Sequence, residues 1–366
     1  MTSQAPDTEQ AAVVESAAAA RGTLTLDAQG LGKDFRLGRG HVLHAVRDVS
    51  LGLYRSAVVA LVGESGSGKS TVARMLAGQE HPTTGTIRLD EHPVELSGRR
   101  AFRSYKSEVQ YVFQDPFASL NPAHTVRYHI ERPLRLHQGR MSREQLSEQA
   151  TALMEQVRLS PADKYLGKYP HELSGGQRQR VSFARALAAK PRVLLADEPV
   201  SMLDVSIRLE MLALLDDLRQ RLQLAMLYIT HDIASARYFA DEILVMYAGQ
   251  IVEQGPAEEV TQQPAHPYTQ LLVSSAPDPD NLGGALRNGA RTDHQTGNGA
   301  VSIATGPAPE GACPFSPRCP FAVDKCRAEA PPLIQISRSR AAACWRLDVA
   351  APSLYSEPRG GGDLTS

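Results

Sequence analysis

The stretch Gly63-Glu64-Ser65-Gly66-Ser67-Gly68-Lys69-Ser70-Thr71 satisfies G-x-x-x-x-G-K-[ST] and carries the most explicit chemistry in the sequence. Glycines at this spacing let successive backbone N–H groups turn inward around phosphate oxygens. Lys69 supplies a point charge for β- and γ-phosphates, and the Ser70 hydroxyl is a ligand for Mg²⁺. A helix opening at this point aims the positive end of its dipole at the same anion. Further along, Val193-Leu-Leu-Ala-Asp197-Glu198-Pro199 is an apolar run that ends in two adjacent carboxylates. Asp197 suits an outer hold on Mg²⁺, and Glu198 falls where a carboxylate polarises the water that attacks a γ-phosphate. Alone, such a pair is an ordinary acidic strand end. After a phosphate loop it points to nucleotide hydrolysis.

These groups must be held by strands and helices, and the pattern supplies them. Val58–Val62 is a continuous apolar run ending at Gly63, as expected of a buried strand. Thr86–Leu89, Val109–Phe113, Val193–Ala196, Ala225–Ile229, Ile243–Met246 and Ile251–Glu253 read as further strands. Met141–Val157 places Leu146, Ala150, Leu153, Met154 and Val157 on one helical face, with Ser142 and Gln145 fitting a capping box. Ile207, Met211, Leu214, Leu215, Leu218 and Leu222 mark a second amphipathic helix. Strands and helices alternating at these lengths predict an α/β fold with a parallel sheet covered on both faces.

Composition narrows the classes. The 366 residues predict two domains, with room for a small third, and 42% hydrophobic with 22% charged residues is ordinary for a soluble globular chain. Lys plus Arg total 39 against 40 for Asp plus Glu, so duplex DNA is an unsuitable main partner. No apolar run reaches the roughly 18 residues that a membrane span needs. The opening stretch has Asp7, Glu9 and Glu15 where a secretion signal needs a basic start and an apolar core. Four cysteines, all after residue 312, are too few and too clustered for a secreted disulfide framework, so a cytosolic chain is expected. Residues 1–22 and 351–366 read as disordered tails, and 281–306 as a flexible Gly-rich insertion.

The run Leu173-Ser174-Gly175-Gly176-Gln177 resembles the signature motif of ATP-binding-cassette (ABC) ATPases. A serine and two glycines at a helix start form a second phosphate-binding surface, and the chain's own loop already saturates its nucleotide. The resemblance therefore implies head-to-tail dimers in which each ATP lies between one subunit's loop and the other's signature. It implies a P-loop NTPase fold with an antiparallel β subdomain and a helical subdomain, over residues 23–262. The remaining family motifs follow in order. Gln114 is similar to the Q-loop glutamine that touches Mg²⁺, Asp204 in Ser201-Met-Leu-Asp204 to the D-loop, and His231 to the switch histidine on the γ-phosphate. Phe35 sits where the family places an aromatic that stacks on adenine. The implied catalytic set is Glu198, His231 and Gln114, with Mg²⁺ organised by Ser70, Gln114 and Asp197.

Wording narrows the branch. Gln114–Pro122 (QDPFASLNP), Tyr169–Arg180 (YPHELSGGQRQR) and Ala196–Ser206 (ADEPVSMLDVS) resemble the peptide and nickel importers. His266-Pro267-Tyr268-Thr269 is similar to the element opening the C-terminal extension of oligopeptide and dipeptide transporter ATPases, placed here at 263–350. Met202 replaces the more usual Ala, and the 281–306 stretch is longer than the branch leads one to expect. The resemblance implies an ATP-hydrolysing subunit at the cytoplasmic face of a membrane. Its partners would be two permease subunits, a second ATPase of the same or another chain and, indirectly, an extracytoplasmic solute-binding protein, with no nucleic acid. Import of nickel or another small solute, an exporter, and a soluble ATPase acting on DNA or ribosomes are the alternatives.

Cys313, Cys319, Cys326 and Cys344 follow the spacing C-x5-C-x6-C-x17-C, unlike the close pairs of most zinc modules. From the residues alone an unspecified metal site ranks first, an iron–sulfur cluster second and redox or unbonded cysteines third. The family resemblance brings a [4Fe–4S] cluster to the front, with Zn²⁺ as the alternative, in a structural role within the compact segment 313–346.

Overall fold

The computed structural model describes residues 22–37, 41–95, 98–115, 119–275, 308–309 and 311–354. The lead-in expected at 1–22 lies outside these but for its last residue, as do the 281–306 insertion and residues 355–366 of the expected tail. Two long alternating runs, Leu24–Arg36 (β1) and Val42–Tyr54 (β2), pair antiparallel, and Thr84–Leu89 (β4) and His92–Pro93 (β5) complete a four-stranded sheet in the order β2-β1-β4-β5. This is the antiparallel subdomain.

The second sheet has eight strands in the order β11-β12-β10-β9-β3-β8-β7-β6. Its middle is Val58–Val62 (β3), Val109–Val112 (β6), Val193–Asp197 (β7), Ala225–Thr230 (β8) and Glu242–Tyr247 (β9), all parallel. β3, β7 and β8 are buried along their whole length, which is why they read as unbroken apolar runs. The period-2 pleat divides β3 between two cores. Val58, Ala60 and Val62 join the larger core with the helical side, while Val59 and Leu61 face Leu26, Leu31 and Leu53 of the small sheet.

The sheet is mixed rather than parallel throughout. Gln250–Pro256 (β10) runs antiparallel to β9, because Ala248 and Gly249 both take positive φ (46° and 87°), the geometry of a tight hairpin. Arg340–Ala342 (β12) and Ile334–Ser337 (β11) then extend that edge.

The helices are Lys69–Leu76 (α1), Arg99–Glu108 (α2), Val126–His137 (α3), Arg143–Gln156 (α4), Asp163–Leu166 (α5), Gly175–Leu187 (α6), Val205–Leu222 (α7), Ile233–Phe239 (α8), Ala257–Gln262 (α9), Pro267–Ser275 (α10), Asp324–Ala328 (α11) and Leu347–Ala350 (α12). α4 starts with the expected capping box between Ser142 and Gln145. Helices α3 to α6 form the helical subdomain, whose Ile130, Met154 and Phe183 meet the sheet in the larger core.

The C-terminal extension is built into the cassette. Tyr268, Cys313, Phe315 and Cys326 belong to the larger core, and Ala351 is buried in a small satellite cluster although it opens the expected tail. The join is a carboxylate. Glu253 on β10 is 0% exposed, and it accepts the N–H groups of Ala265 (2.9 Å) and His266 (2.8 Å) and the guanidinium of Arg340 (2.7 Å). Glu253→Ala leaves the buried Arg340 cation with the Gln263 carbonyl but no counter-charge, and two main-chain donors without an acceptor. Denaturant unfolding should show a loss of about 3–5 kcal/mol, and a loss under about 1 kcal/mol would mean that this carboxylate is not what joins the extension to the sheet.

Candidate nucleotide site

The loop Gly63–Gly68 leaves β3 under tight constraint. A Cβ on Gly63 would stand 2.1 Å from the Met246 carbonyl oxygen, and one on Gly68 (φ 104°) would stand 2.5 Å from that of Ala45. Only glycine lets the loop pass between the ends of β2 and β9. Lys69 is nearly buried, and its ammonium donates to the carbonyl oxygens of Gly63 (2.7 Å) and Glu64 (2.8 Å). Burial lowers the Lys69 pKa, and the negative charges of Glu198, Asp197 and Glu64 pull against that shift.

Asp197 ends β7 beneath the loop, accepting the Ser70 hydroxyl at 3.1 Å and the Tyr111 hydroxyl at 2.6 Å. Burial first, then the Asp197 charge, raises the Tyr111 pKa, so the phenol stays protonated and donates. Glu198 follows with a positive φ of 44°, stabilised by its own N–H on the Ile229 carbonyl (2.9 Å). Its carboxylate accepts Gln114 Nε2 at 2.9 Å and lies 3.3 Å from His231 Nδ1. A cavity of about 640 Å³ is lined by Glu64, Ser65, Gly66, Gly68 to Thr71, Gln114, Glu198, His231 and Leu272.

The other predicted residues lie elsewhere. Ser174 caps α6, accepting the Gln177 N–H while Gln177 accepts the Ser174 N–H, and a Cβ on Gly176 would come within 3.0 Å of Ile207 on α7. Ser174, Gly175, Gly176, Gln177 and the exposed Asp204, at the start of α7, are not among the cavity's lining residues. Phe35 lies within β1, half-buried, with the Lys33 ammonium 5.1 Å from its ring centroid. Ser67 is buried behind the loop.

Three further side chains, to which no motif assigned a role, shape the site. Tyr111 steadies Asp197. The Tyr268 hydroxyl accepts the Glu64 N–H at 2.8 Å, and Arg318 makes a two-pronged contact with the Glu64 carboxylate, 3.0 Å on each arm. A tyrosine in a buried strand is a signal for Tyr111, since its hydroxyl must find a partner.

The four thiols are unpaired, and three are buried. Burial, with smaller contributions from the other three thiols, pushes Cys344 up to about 12, and burial also raises Cys313 and Cys319. Among the described residues no three His, Cys, Asp or Glu side chains are gathered into a metal site. The donor chemistry suits a soft metal or cluster, but the thiols are near one another without being drawn to ligating positions.

The chain matches the ABC transporter family over residues 46–201 and the oligopeptide/dipeptide transporter C-terminal region over residues 252–326. It is 42% identical over 303 residues to the "Probable peptide ABC transporter ATP-binding protein y4tS" of Sinorhizobium fredii, covering 83% of this chain and 82% of that one. It is 40% identical over 309 residues to the di/tripeptide transport ATP-binding protein DppF of Pseudomonas aeruginosa, covering 84% and 91%. The chain belongs to the ABC transporter ATP-binding proteins. Among solved structures, a dimeric post-hydrolysis state of the ATP-binding cassette MJ0796 bound to ADP and Pi superposes with a TM-score of 0.58 at 29% identity, over 63% of this chain and 98% of that one. CbiO1 of Clostridium perfringens, part of the transporter complex cbiONQ, superposes equally well at 26% identity, over 66% and 91%. The fold is thus that of an ABC ATPase cassette, and the activity that of ATP hydrolysis.

Proposed function

We propose that this chain is the ATP-hydrolysing subunit of a peptide importer, working at the cytoplasmic face of a membrane with two permease subunits and a second cassette. The observation that carries this is the cavity between the phosphate loop and the Gln114–Glu198–His231 group, in a chain that also has the transporter C-terminal region. The peptide assignment is supported by the names of the relatives. Among the described residues no helix is long and apolar enough to cross a membrane, so the solute path would belong to the permeases. The solute-binding protein would act on this chain only through them.

In this reading the loop N–H groups and Lys69 hold the ATP phosphates. Ser70, Gln114 and Asp197 hold Mg²⁺, which supplies neutralising charge to the phosphate oxygens when bound. Glu198 accepts a hydrogen bond from the attacking water and orients it. His231 donates to the γ-phosphate, a role supported by its Nδ1 lying 3.3 Å from the Glu198 carboxylate. Phe35 stacks on adenine, where ring faces are sequence-tolerant partners for a base. Ser174 to Gln177 and Asp204 face the nucleotide of the opposing cassette, in keeping with their position away from this chain's own cavity. The exposed helix start of α6 offers that nucleotide the positive end of a dipole. Cys313, Cys319, Cys326 and Cys344 would hold a [4Fe–4S] cluster as thiolates, with Zn²⁺ as the alternative.

Glu198→Gln should bind ATP with the wild-type affinity but lose at least about 100-fold in turnover, accumulating as an ATP-bound dimer on size exclusion. Wild-type turnover would remove Glu198 from the mechanism. Affinity purification from mild-detergent-solubilised native membranes, with mass spectrometry, should recover two multi-span permeases. Recovery of only soluble or nucleic-acid-associated proteins would overturn the importer reading and leave the ATPase standing. Anaerobically purified protein should contain iron and acid-labile sulfide in equal amounts, and zinc without sulfide would sink the cluster.

A further inference from the structure

We propose that Tyr268 and Arg318, both in the C-terminal extension, are positioning residues for the phosphate loop that set the affinity of the site for ATP. The inference rests on the ATP site argued above. The two side chains converge on one residue, Glu64, from different directions. Tyr268 accepts its main-chain N–H at 2.8 Å, and Arg318 engages both of its carboxylate oxygens at 3.0 Å. They are 254 residues (Arg318) and 204 residues (Tyr268) distant in the chain, so no local turn accounts for the meeting.

Both contacts come from a rigid base. The Tyr268 ring is fully buried, and its own N–H donates to His266 Nδ1 at 3.0 Å. Burial pushes the His266 imidazole down to about 3, so it stays a neutral acceptor. The Arg318 guanidinium lies over the rings of Phe315 (5.6 Å) and Tyr247 (5.8 Å), and Phe315 packs against Tyr268 with ring centroids 5.6 Å apart. Three aromatic rings therefore fix the place of the cation.

Glu64 is where such a hold matters. Its carbonyl accepts both the Lys69 ammonium and the Ser67 N–H (3.2 Å), so the orientation of its peptide fixes the turn of the loop. Glu64 lines the cavity proposed for the ATP phosphates. An unneutralised charge there repels the substrate, and Arg318 cancels it. The pair is itself well exposed, with 37% and 44% of the two side chains accessible, and exposed pairs add little to folding. Its effect belongs to ATP binding.

Steady-state ATP hydrolysis by the full chain separates these roles. Arg318→Ala should raise KM for ATP about fivefold, with kcat within about twofold and the melting temperature unchanged. Tyr268→Phe keeps the ring and loses the hydroxyl acceptor, and should raise KM in the same way. Arg318→Lys keeps the charge without the fork and should give a smaller rise. Glu64→Gln combined with Arg318→Ala removes the charge that needed cancelling and should bring KM back towards wild type. Wild-type KM in both Arg318→Ala and Tyr268→Phe overturns the proposal, as does a KM rise that only tracks lost thermal stability. Lys69→Ala tests the underlying site separately: full turnover in that variant would overturn the nucleotide reading itself.

Discussion

A loop that presents N–H groups to an anion has few left to hold its own shape, and the rest of this structure answers that constraint. The Glu64 N–H is spent on Tyr268 and the Ser67 N–H on the Glu64 carbonyl, and otherwise the loop is tied through its carbonyl oxygens and its glycines. Lys69 takes the carbonyls of Gly63 and Glu64, and the Gly249 N–H, at the tip of the β9–β10 hairpin, takes that of Ser67 at 2.9 Å. The Gly63 backbone lies so close to Met246 that a side chain is excluded. The hairpin that makes the sheet mixed is thus also a wall of the phosphate site. Its positive-φ pair, Ala248 and Gly249, matters to both.

The same constraint orders the charges. One nearly buried ammonium faces three carboxylates, and burial alone would weaken its charge. Each carboxylate has partners of its own: Ser70 and Tyr111 for Asp197, Gln114 and His231 for Glu198, Arg318 for Glu64. A polar site of this density tolerates no group left unpaired, since each costs about 1–3 kcal/mol when buried. Glu198 adds backbone strain of a similar size through its positive φ, compensated by its N–H on Ile229 and by the Ser201 N–H and hydroxyl on its carbonyl. The side chains of Lys69, Ser70, Gln114, Glu198 and His231 are each paired with one another, with Asp197 or with main-chain carbonyls.

Much of this was legible in the sequence, for local reasons. β3, β7 and β8 are buried on both faces, so their apolar runs are continuous, and the Ser142 and Ser174 caps are read from residues three apart. The phosphate loop, Glu198, Gln114 and His231 line one cavity, and Asp197 accepts the Ser70 hydroxyl. What escaped depends on distance along the chain. Arg340 meets Glu253 across 87 residues, and Tyr111 meets Asp197 across 86. No periodicity marks an arginine in a Pro- and Cys-rich stretch as the partner of a loop residue, and β12 is only three residues long. The His266-Pro267-Tyr268 element was visible as a family mark, but its geometric work was not.

That element explains how so short an extension keeps its place. The compact segment 313–346 falls below the roughly 40 residues under which a segment rarely folds without a staple. Here the staple is shared. β12 borrows a sheet edge from β10, Phe315 and two of the cysteines borrow the cassette's core, and Arg340 shares the buried carboxylate of Glu253 with the two N–H groups that open α10. The path from Glu253 through residues 265 and 266 to Tyr268 and then Glu64 is a continuous chain of hydrogen bonds and covalent turns. The segment carrying the cysteines is held by the same core that holds the loop, for Cys313, Cys326 and Phe315 pack within it and the Arg318 guanidinium rests over the Phe315 ring.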